Sequence, residues 1–428
     1  MELLEKILEK GNLNEAYKRV CANKGASGVD GVKVEELFTY LKEHKTELLE
    51  SIRTRQYKPQ PVRRVEIPKE NGKTRKLGIP TVVDRVIQQA ISQVLIPIYE
   101  KQFSNSSYGF RPNRSCEMAV KSSLELLNAG YDWIVDIDLE RFFDTVNHDR
   151  LMNLLHRTID DGDVLSLIRK YLVSGVMVGN VYEETPVGTP QGGNLSPLLS
   201  NVMLNELDKE LSSRGLSFVR YADDCNIFVR SRKSAERVMK SISKFIENKL
   251  GLKVNVSKSK IGRPTEIKFL GFGYFIDKEG KYQSKPHKLS VEKLERKIKL
   301  LTRRNWSISL SSRLKKLCSQ IRGWVNYFRI GKMKTLLCSL DRMLRKRIRV
   351  IIWKQWKKIR KRYECLRKLG ASHLNAYKTS NCRKGYQYVC RMVTIYTTIT
   401  NERLEKRGLI SMSNLYAKVH LAVLAATN

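Results

Sequence analysis

Arg220-Tyr-Ala-Asp-Asp-Cys-Asn-Ile-Phe-Val229 reads as a β-hairpin with two adjacent carboxylates at its tip. Apolar residues flank Asp223 and Asp224, so the strands are bound for a core and the acids for its edge. Upstream, Trp133-Ile-Val-Asp-Ile-Asp-Leu139 alternates like a strand. Period 2 puts Asp136 and Asp138 on one face and Ile137 on the other. Each motif has an ordinary reading: Asp-Asp is common turn chemistry, and acids on a strand face are commonly its wet side. Paired acids on apolar strands make better sense when divalent cations neutralise them. Two Mg2+ ions about 3.5–4 Å apart need shared carboxylates to hold both oxygens of an in-line phosphoryl transfer.

Around these motifs the pattern alternates between helix and strand. Residues 1–10, 14–20 and 34–49 read as helices, broken by the turn Gly25-Ala-Ser-Gly-Val-Asp-Gly31. Residues 63–68 and 74–79 flank Asn71-Gly72 like the arms of a hairpin. Helical spacing marks 84–99, 198–211 and 235–250. Residues 269–276, with Gly271 and Gly273 among aromatics, suit a strand pair in close backbone contact. The interleaving predicts an α/β core. After Pro286 basic helices take over, which sets the main boundary there and a weaker one near Gly370.

Charge divides the chain in the same place. Of 428 residues, 80 are Lys or Arg and 43 Asp or Glu, a net of +37. Residues 285–428 hold 36 basic and 6 acidic side chains, net +30, against +7 for residues 1–284. Such a concentration strains its own compact state unless a polyanion is near, and nucleic acid is the fitting partner. From Leu336 a helical register sets Leu340, Leu344, Ile348, Ile351, Ile352 and Ile359 on one face. The other face carries Arg342, Arg345, Lys346, Arg349, Trp353, Trp356, Lys357 and Arg360. A solvated basic face is the plain reading; cations interleaved with indoles also suit a helix lying on a nucleic-acid duplex. No apolar run is long enough to span a membrane, and the charged start is unlike a secretory signal. Eight scattered cysteines without a CxxC pair point to a reducing compartment and away from a zinc module.

The motifs resemble those of reverse transcriptases. Tyr221-Ala-Asp-Asp224 is similar to their metal-binding hairpin, and Asp138-Leu-Glu-Arg-Phe-Phe143 to their first catalytic strand, where an aromatic follows the metal-ligating Asp by five residues. Asp138 with Phe143 is the matching pair; Asp136 would need its aromatic at Arg141. Five further blocks resemble group II intron reverse transcriptases: Lys73–Gln88, Tyr108-Gly-Phe-Arg-Pro-Asn-Arg-Ser115, Thr185–Leu199 around Pro190-Gln-Gly-Gly193, Phe269-Leu-Gly-Phe272, and Gly323-Trp-Val-Asn-Tyr-Phe328 of the maturase, or thumb, segment. Together with the two aspartate motifs they cover almost the whole chain in family order.

The resemblance implies an α/β right-hand polymerase, with fingers and an antiparallel palm sheet over 1–284 and a basic all-α thumb, or maturase, domain over 285–370. Residues 371–428 resemble a DNA-binding segment at Arg383-Lys-Gly-Tyr386, although Gln387 stands where many relatives have Trp. Residues 1–50 fit the family's N-terminal finger extension, which would cover the template. Asp138, Asp223, Asp224 and the backbone carbonyl of Leu139 would hold two Mg2+ ions, with Mn2+ as a substitute. Phe143 would exclude a 2′-hydroxyl, Lys69 and Arg75 would clamp the dNTP, Gln191 would abut nucleotide or template, and Lys258 would protonate pyrophosphate. Arg63, Gly192, Gly271 and the thumb cations Arg342, Arg345, Lys346, Arg349 and Lys357 would contact nucleic acid.

The partners so implied are group II intron RNA, an RNA template with a DNA primer, dNTPs and target DNA, in a bacterial cytoplasmic ribonucleoprotein. No Cys-pair and His-Asn-His endonuclease module is seen, as in the compact bacterial class C members. Two rival readings remain at this level: an RNA-binding splicing cofactor with a vestigial polymerase site, and a domesticated or defence-type reverse transcriptase.

Overall fold

A computed structural model describes residues 2–68, 72, 74–190 and 192–425, and side chains up to residue 422. The chain divides into two compact units, Met1–Pro264 and Thr265–Asn428. Among the described residues the first holds eight strands: β1 (Val62–Pro68), β2 (Thr74–Ile79), β3 (Trp133–Ile137), β4 (Val176–Val178), β5 (Val181–Glu183), β6 (Ser217–Tyr221), β7 (Asp224–Val229) and β8 (Lys260–Gly262). One sheet runs β2-β1-β4-β5 and the other β6-β7-β3-β8, the latter antiparallel throughout.

Period-2 alternation sorts the second sheet's faces. Val135 and Ile137 of β3 and Cys225, Ile227 and Val229 of β7 enter a core shared with the helices Val82–Glu100, Ser196–Ser213 and Arg232–Phe245. The intervening residues Asp136, Asp224 and Asn226 therefore share the opposite face. The helices start on side-chain caps where the sequence supplies them: Thr81 accepts from the Asp84 amide, and Ser231 from that of Ser234.

The N-terminal helices form as Leu3–Leu8, Lys10–Asn23 and Leu37–Arg53. They are part of the same core: Leu4, Ile7, Leu8, Ala16, Val20, Leu37 and Ile52 are all buried in it. Their connecting loop is tied down by arginines, with Arg63 donating twice to the Ser27 carbonyl (2.7 and 3.1 Å) and Arg85 to that of Ala26. Gly28 is needed there, since a Cβ would stand 2.6 Å from the Thr81 Cα.

The second unit opens with a hairpin of β9 (Phe272–Ile276) and β10 (Tyr282–Pro286) and is otherwise helical among the described residues. Its longest helices are Lys288–Leu301, Leu310–Tyr327, Lys334–Gln355 and Met412–Ala425. The hairpin precedes the junction expected at Pro286 yet belongs to this unit, because Phe272 packs on the rings of Tyr327 and Phe328. Asp341, buried on the third helix, supplies the cap of the last: its carboxylate accepts from the Met412 and Ser413 amides at 2.8 and 3.0 Å. A carboxylate is well placed at that positive helix end. No helix among the described residues is long and apolar enough to cross a membrane.

Candidate functional site

Tyr221 pairs with Asp224 across a two-residue turn, Ala222-Asp223, that joins β6 to β7. Ala222 holds φ +56, a conformation that favours glycine in such turns. β3 pairs with β7 from Trp133↔Val229 to Ile137↔Cys225, and one further step of that register would bring Asp138 opposite Asp224. A loop fastens Asp138 from its other side. The Asn255 amide donates to the Asp138 carbonyl (2.8 Å), and the Asp138 amide donates to Ser259 Oγ (3.0 Å). Leu139 forms a bridge with Val254, in which the flanking residues make the hydrogen bonds.

The carboxylates sense one another. Burial first, then Asp224, and more weakly Asp138, push the Asp136 carboxyl up to about 7, against the pull of Lys260. The donor set is all oxygen, which suits a hard divalent cation such as Mg2+ or Mn2+. It is not a preformed cage. Among the described residues no three His, Cys, Asp or Glu side chains are gathered closely enough to hold an ion. The Asp138 carboxylate instead receives both bonds from Lys258 Nζ, at 3.0 and 3.1 Å. Lys258 thus occupies the carboxylate expected as the first metal ligand.

Phe143 is half-buried, edge-on to the buried Phe142 at 5.2 Å. Its carbonyl accepts from the Thr189 amide at 2.6 Å, and Gly188 lies so close that a Cβ would meet that carbonyl oxygen at 2.9 Å. The glycine-rich loop is therefore seated beside Phe143. Gly192, at φ +123, owes its lack of a side chain to protein backbone: a Cβ would stand 2.4 Å from the Gly78 oxygen of β2. Gln191 and Lys69 lie outside the described residues. Arg75 is exposed on β2. Arg63 is half-buried and anchors the loop at Ser27, which corrects its expected place among nucleic-acid contacts.

In the second unit, Leu270-Gly271 is a tight turn with φ +49 and +82. The Gly271 carbonyl accepts from Ser290 Oγ (2.8 Å) and the His287 amide (3.0 Å), and Tyr327 Oη donates to the Leu270 carbonyl. On the helix Lys334–Gln355, Arg342 is exposed and Arg345 and Lys346 are half-buried; Lys357, just beyond its end, is exposed. Arg349 is a correction. It is 3% exposed, donates to the Ile399 carbonyl and Asn401 Oδ1 (both 2.9 Å), and lies over the Tyr396 ring. Trp353, 1% exposed, is also core rather than surface. Ile359, expected on the apolar face, is exposed, because the helix ends at Gln355 and a new one starts at Ile359.

One structural element beside the candidate site escaped the sequence reading. Arg220 and Asp208, both fully buried, are joined by a two-pronged ion pair beneath the Ala222-Asp223 turn. The available signal was an opposite charge at each of two positions beside apolar residues, Leu207 next to Asp208 and Val219 next to Arg220.

Comparison with known proteins matches residues 67–274 to the reverse transcriptase (RNA-dependent DNA polymerase) family and residues 291–370 to the group II intron, maturase-specific domain. Protein YkfC of Escherichia coli is 35% identical over 60% of this chain and 78% of its own length. Group II intron-encoded protein LtrA of Lactococcus lactis is 31% identical over 62% of this chain, which spans only 55% of it. A yeast relative, the putative COX1/OXI3 intron 2 protein of Saccharomyces cerevisiae, is 30% identical over 60% of this chain and 37% of its own. A solved chain of a partial Cas6-RT-Cas1--Cas2 complex aligns over 58% of this chain and 43% of that one, with TM-score 0.37 and 22% identity. With a polymerase domain, a maturase-specific domain and relatives encoded by introns, the chain belongs to the group II intron-encoded reverse transcriptases, right-hand RNA-directed DNA polymerases that carry a maturase domain.

Proposed function

We propose that this chain copies group II intron RNA into cDNA by adding dNTPs to a primer 3′-hydroxyl, and that its second unit binds the intron RNA and assists splicing. What supports the reading is the β3–β7 register, which runs to Ile137↔Cys225, one residue short of Asp138 and Asp224, together with Asp136 feeling the charge of both. Asp138, Asp223, Asp224 and the Leu139 carbonyl are the groups we assign to metal binding. Two Mg2+ ions, replaceable by Mn2+, would supply activation of the 3′-hydroxyl and neutralisation of the departing pyrophosphate.

The protein's own groups do the rest. Phe143 presents its ring where a 2′-hydroxyl would collide, which selects deoxynucleotides by exclusion. Arg75, with Lys69 and Gln191, completes the nucleotide contacts of the fingers. Lys258, paired with Asp138, is the group we assign to giving a proton to the leaving pyrophosphate. Gly192 and Gly271 hold backbone close to nucleic acid, and Arg342, Arg345, Lys346 and Lys357 bind phosphates of an A-like duplex by shape. Residues 371–428 contact the target DNA, and the protein acts in a cytoplasmic ribonucleoprotein with its intron.

Primer extension on an RNA template in Mg2+ tests the first role, and splicing of intron RNA at near-physiological Mg2+ the second. Wild type should give full-length cDNA and Asp224→Asn none, while both speed splicing alike. RNA binding without any cDNA from the wild type would leave only the splicing role.

A further inference from the structure

The turn that carries Asp223 and Asp224 holds a conformation its sequence does not favour, with alanine at φ +56 where glycine is at ease. Something must hold it. Arg220, 1% exposed, sends Nε and Nη2 to the two carboxylate oxygens of Asp208 at 2.7 and 2.5 Å. Its remaining nitrogen, Nη1, donates to the Ala222 carbonyl in the turn (2.9 Å) and to Asn201 Oδ1 (3.1 Å). Asn201, fully buried, passes the connection on by donating to the Gly109 carbonyl at 2.8 Å.

The loop that contains Gly109 grips the hairpin from outside. The Arg220 amide donates to the Ser106 carbonyl (2.9 Å), and the Arg220 carbonyl accepts from the Tyr108 amide (2.8 Å). Gly109 lies so near the turn that a Cβ would stand 2.2 Å from the Ala222 nitrogen. Arg111 closes the loop by donating to the Ser107 carbonyl (2.7 Å) while forking onto Glu100. Of these, Tyr108, Gly109 and Arg111 belong to the Tyr108–Ser115 block, for which neither metal nor nucleotide gives a reason.

A buried ion pair is weak evidence for stability, because an apolar pair of similar volume commonly serves as well. Its distinctive property here is the third arm, reaching the turn. The geometry points to Arg220 as a positioning residue: with Asp208, Asn201 and the Ser106–Gly109 backbone it fixes the Ala222-Asp223 turn, and so the placement of both carboxylates against Asp138. The inference rests on the reading of Asp223 and Asp224 as catalytic.

The test is the double variant Arg220→Met with Asp208→Leu, which removes both charges and fills the space. Thermal unfolding and primer–template binding by fluorescence anisotropy should stay close to wild type. Single-turnover dNTP incorporation should fall about 100-fold, the scale of a misplaced reacting group, with the dNTP half-saturation little changed. Arg220→Lys, which keeps the pairing with Asp208 but cannot fork to the turn, should lose about tenfold. A folded double variant with the wild-type incorporation rate would overturn the inference and leave Arg220 as core packing. Should that variant fail to fold, Asn201→Ala decides: a severalfold slower rate at unchanged melting temperature supports the positioning role, and an unchanged rate rejects it. If wild type itself makes no cDNA, the polymerase reading fails instead, which separates the two ideas.

Discussion

Two buried arginines, one in each unit, are held in different ways. Arg220 in the first unit meets a carboxylate, Asp208. Arg349 in the second meets a carbonyl, an amide oxygen and an aromatic ring. Other arginines of that unit follow the same habit. Arg313 donates to the carbonyls of Leu301, Arg303 and Trp306 and lies over the Trp306 ring, and Arg403 donates to those of Leu369 and Thr398. With 6 acids to 36 bases over residues 285–428, carboxylates are too few to partner each cation. Dipoles and ring faces solvate a cation without cancelling its charge. The second unit thus remains an uncompensated positive field, suited to a polyphosphate, whereas the first uses its charges as local fasteners.

Variants at one class of position should therefore move chemistry, and at the other folding or affinity. The largest expected effect is at the turn: Asp223→Asn should slow dNTP incorporation at least ~1000-fold in a single-turnover assay, with an unchanged melting curve. Arg349→Ala should cost the second unit about 2–4 kcal/mol in denaturant unfolding, since it strips two hydrogen bonds and a ring contact from a buried site. If it weakened RNA binding at unchanged stability, the contrast between the two arginines would collapse. Phe143→Ala should reduce discrimination against ribonucleotides about tenfold or more, read from paired dNTP and rNTP incorporation rates. Smallest is Lys357→Ala, expected to weaken RNA binding a few-fold at all sequences and to lower the salt-dependence slope by about one.

Legibility in the sequence followed the range of the forces involved. The β1–β2 arms were readable to within a residue because pairing around Asn71-Gly72 is local, and so was the β6–β7 hairpin. The β4–β5 hairpin was not: it joins β1 by a parallel contact from Val62 to Val176, and its Val181 and Tyr182 are exposed, so no alternation marks it. The basic helix shows the limit most clearly. Arg342 and Arg349 are seven residues apart and share one side of the helix. Arg342 is exposed and Arg349 buried, because Tyr396, Ile399 and Asn401 cover only the later turns. Periodicity gives the azimuth of a side chain, not what comes to lie over it. At the β6-β7-β3-β8 sheet, the acids stood out in the sequence, but the Lys258 ion pair and the Arg220 brace join residues 120 and 12 apart in ways no spacing rule encodes.

The burial of Leu4, Ile7, Leu8, Ala16, Val20 and Leu37 in the same core as β3 and β7 changes what the first fifty residues are. A segment that looks detachable in the sequence is a wall of the polymerase itself. Cutting it away would uncover apolar surface on the helix Val82–Glu100 and release the arginines that moor the loop at Ala26 and Ser27. Shortened cDNA from such a truncation would report a damaged enzyme, so any hold of this region on template must be probed by single exchanges in the loop, with the scaffold left whole.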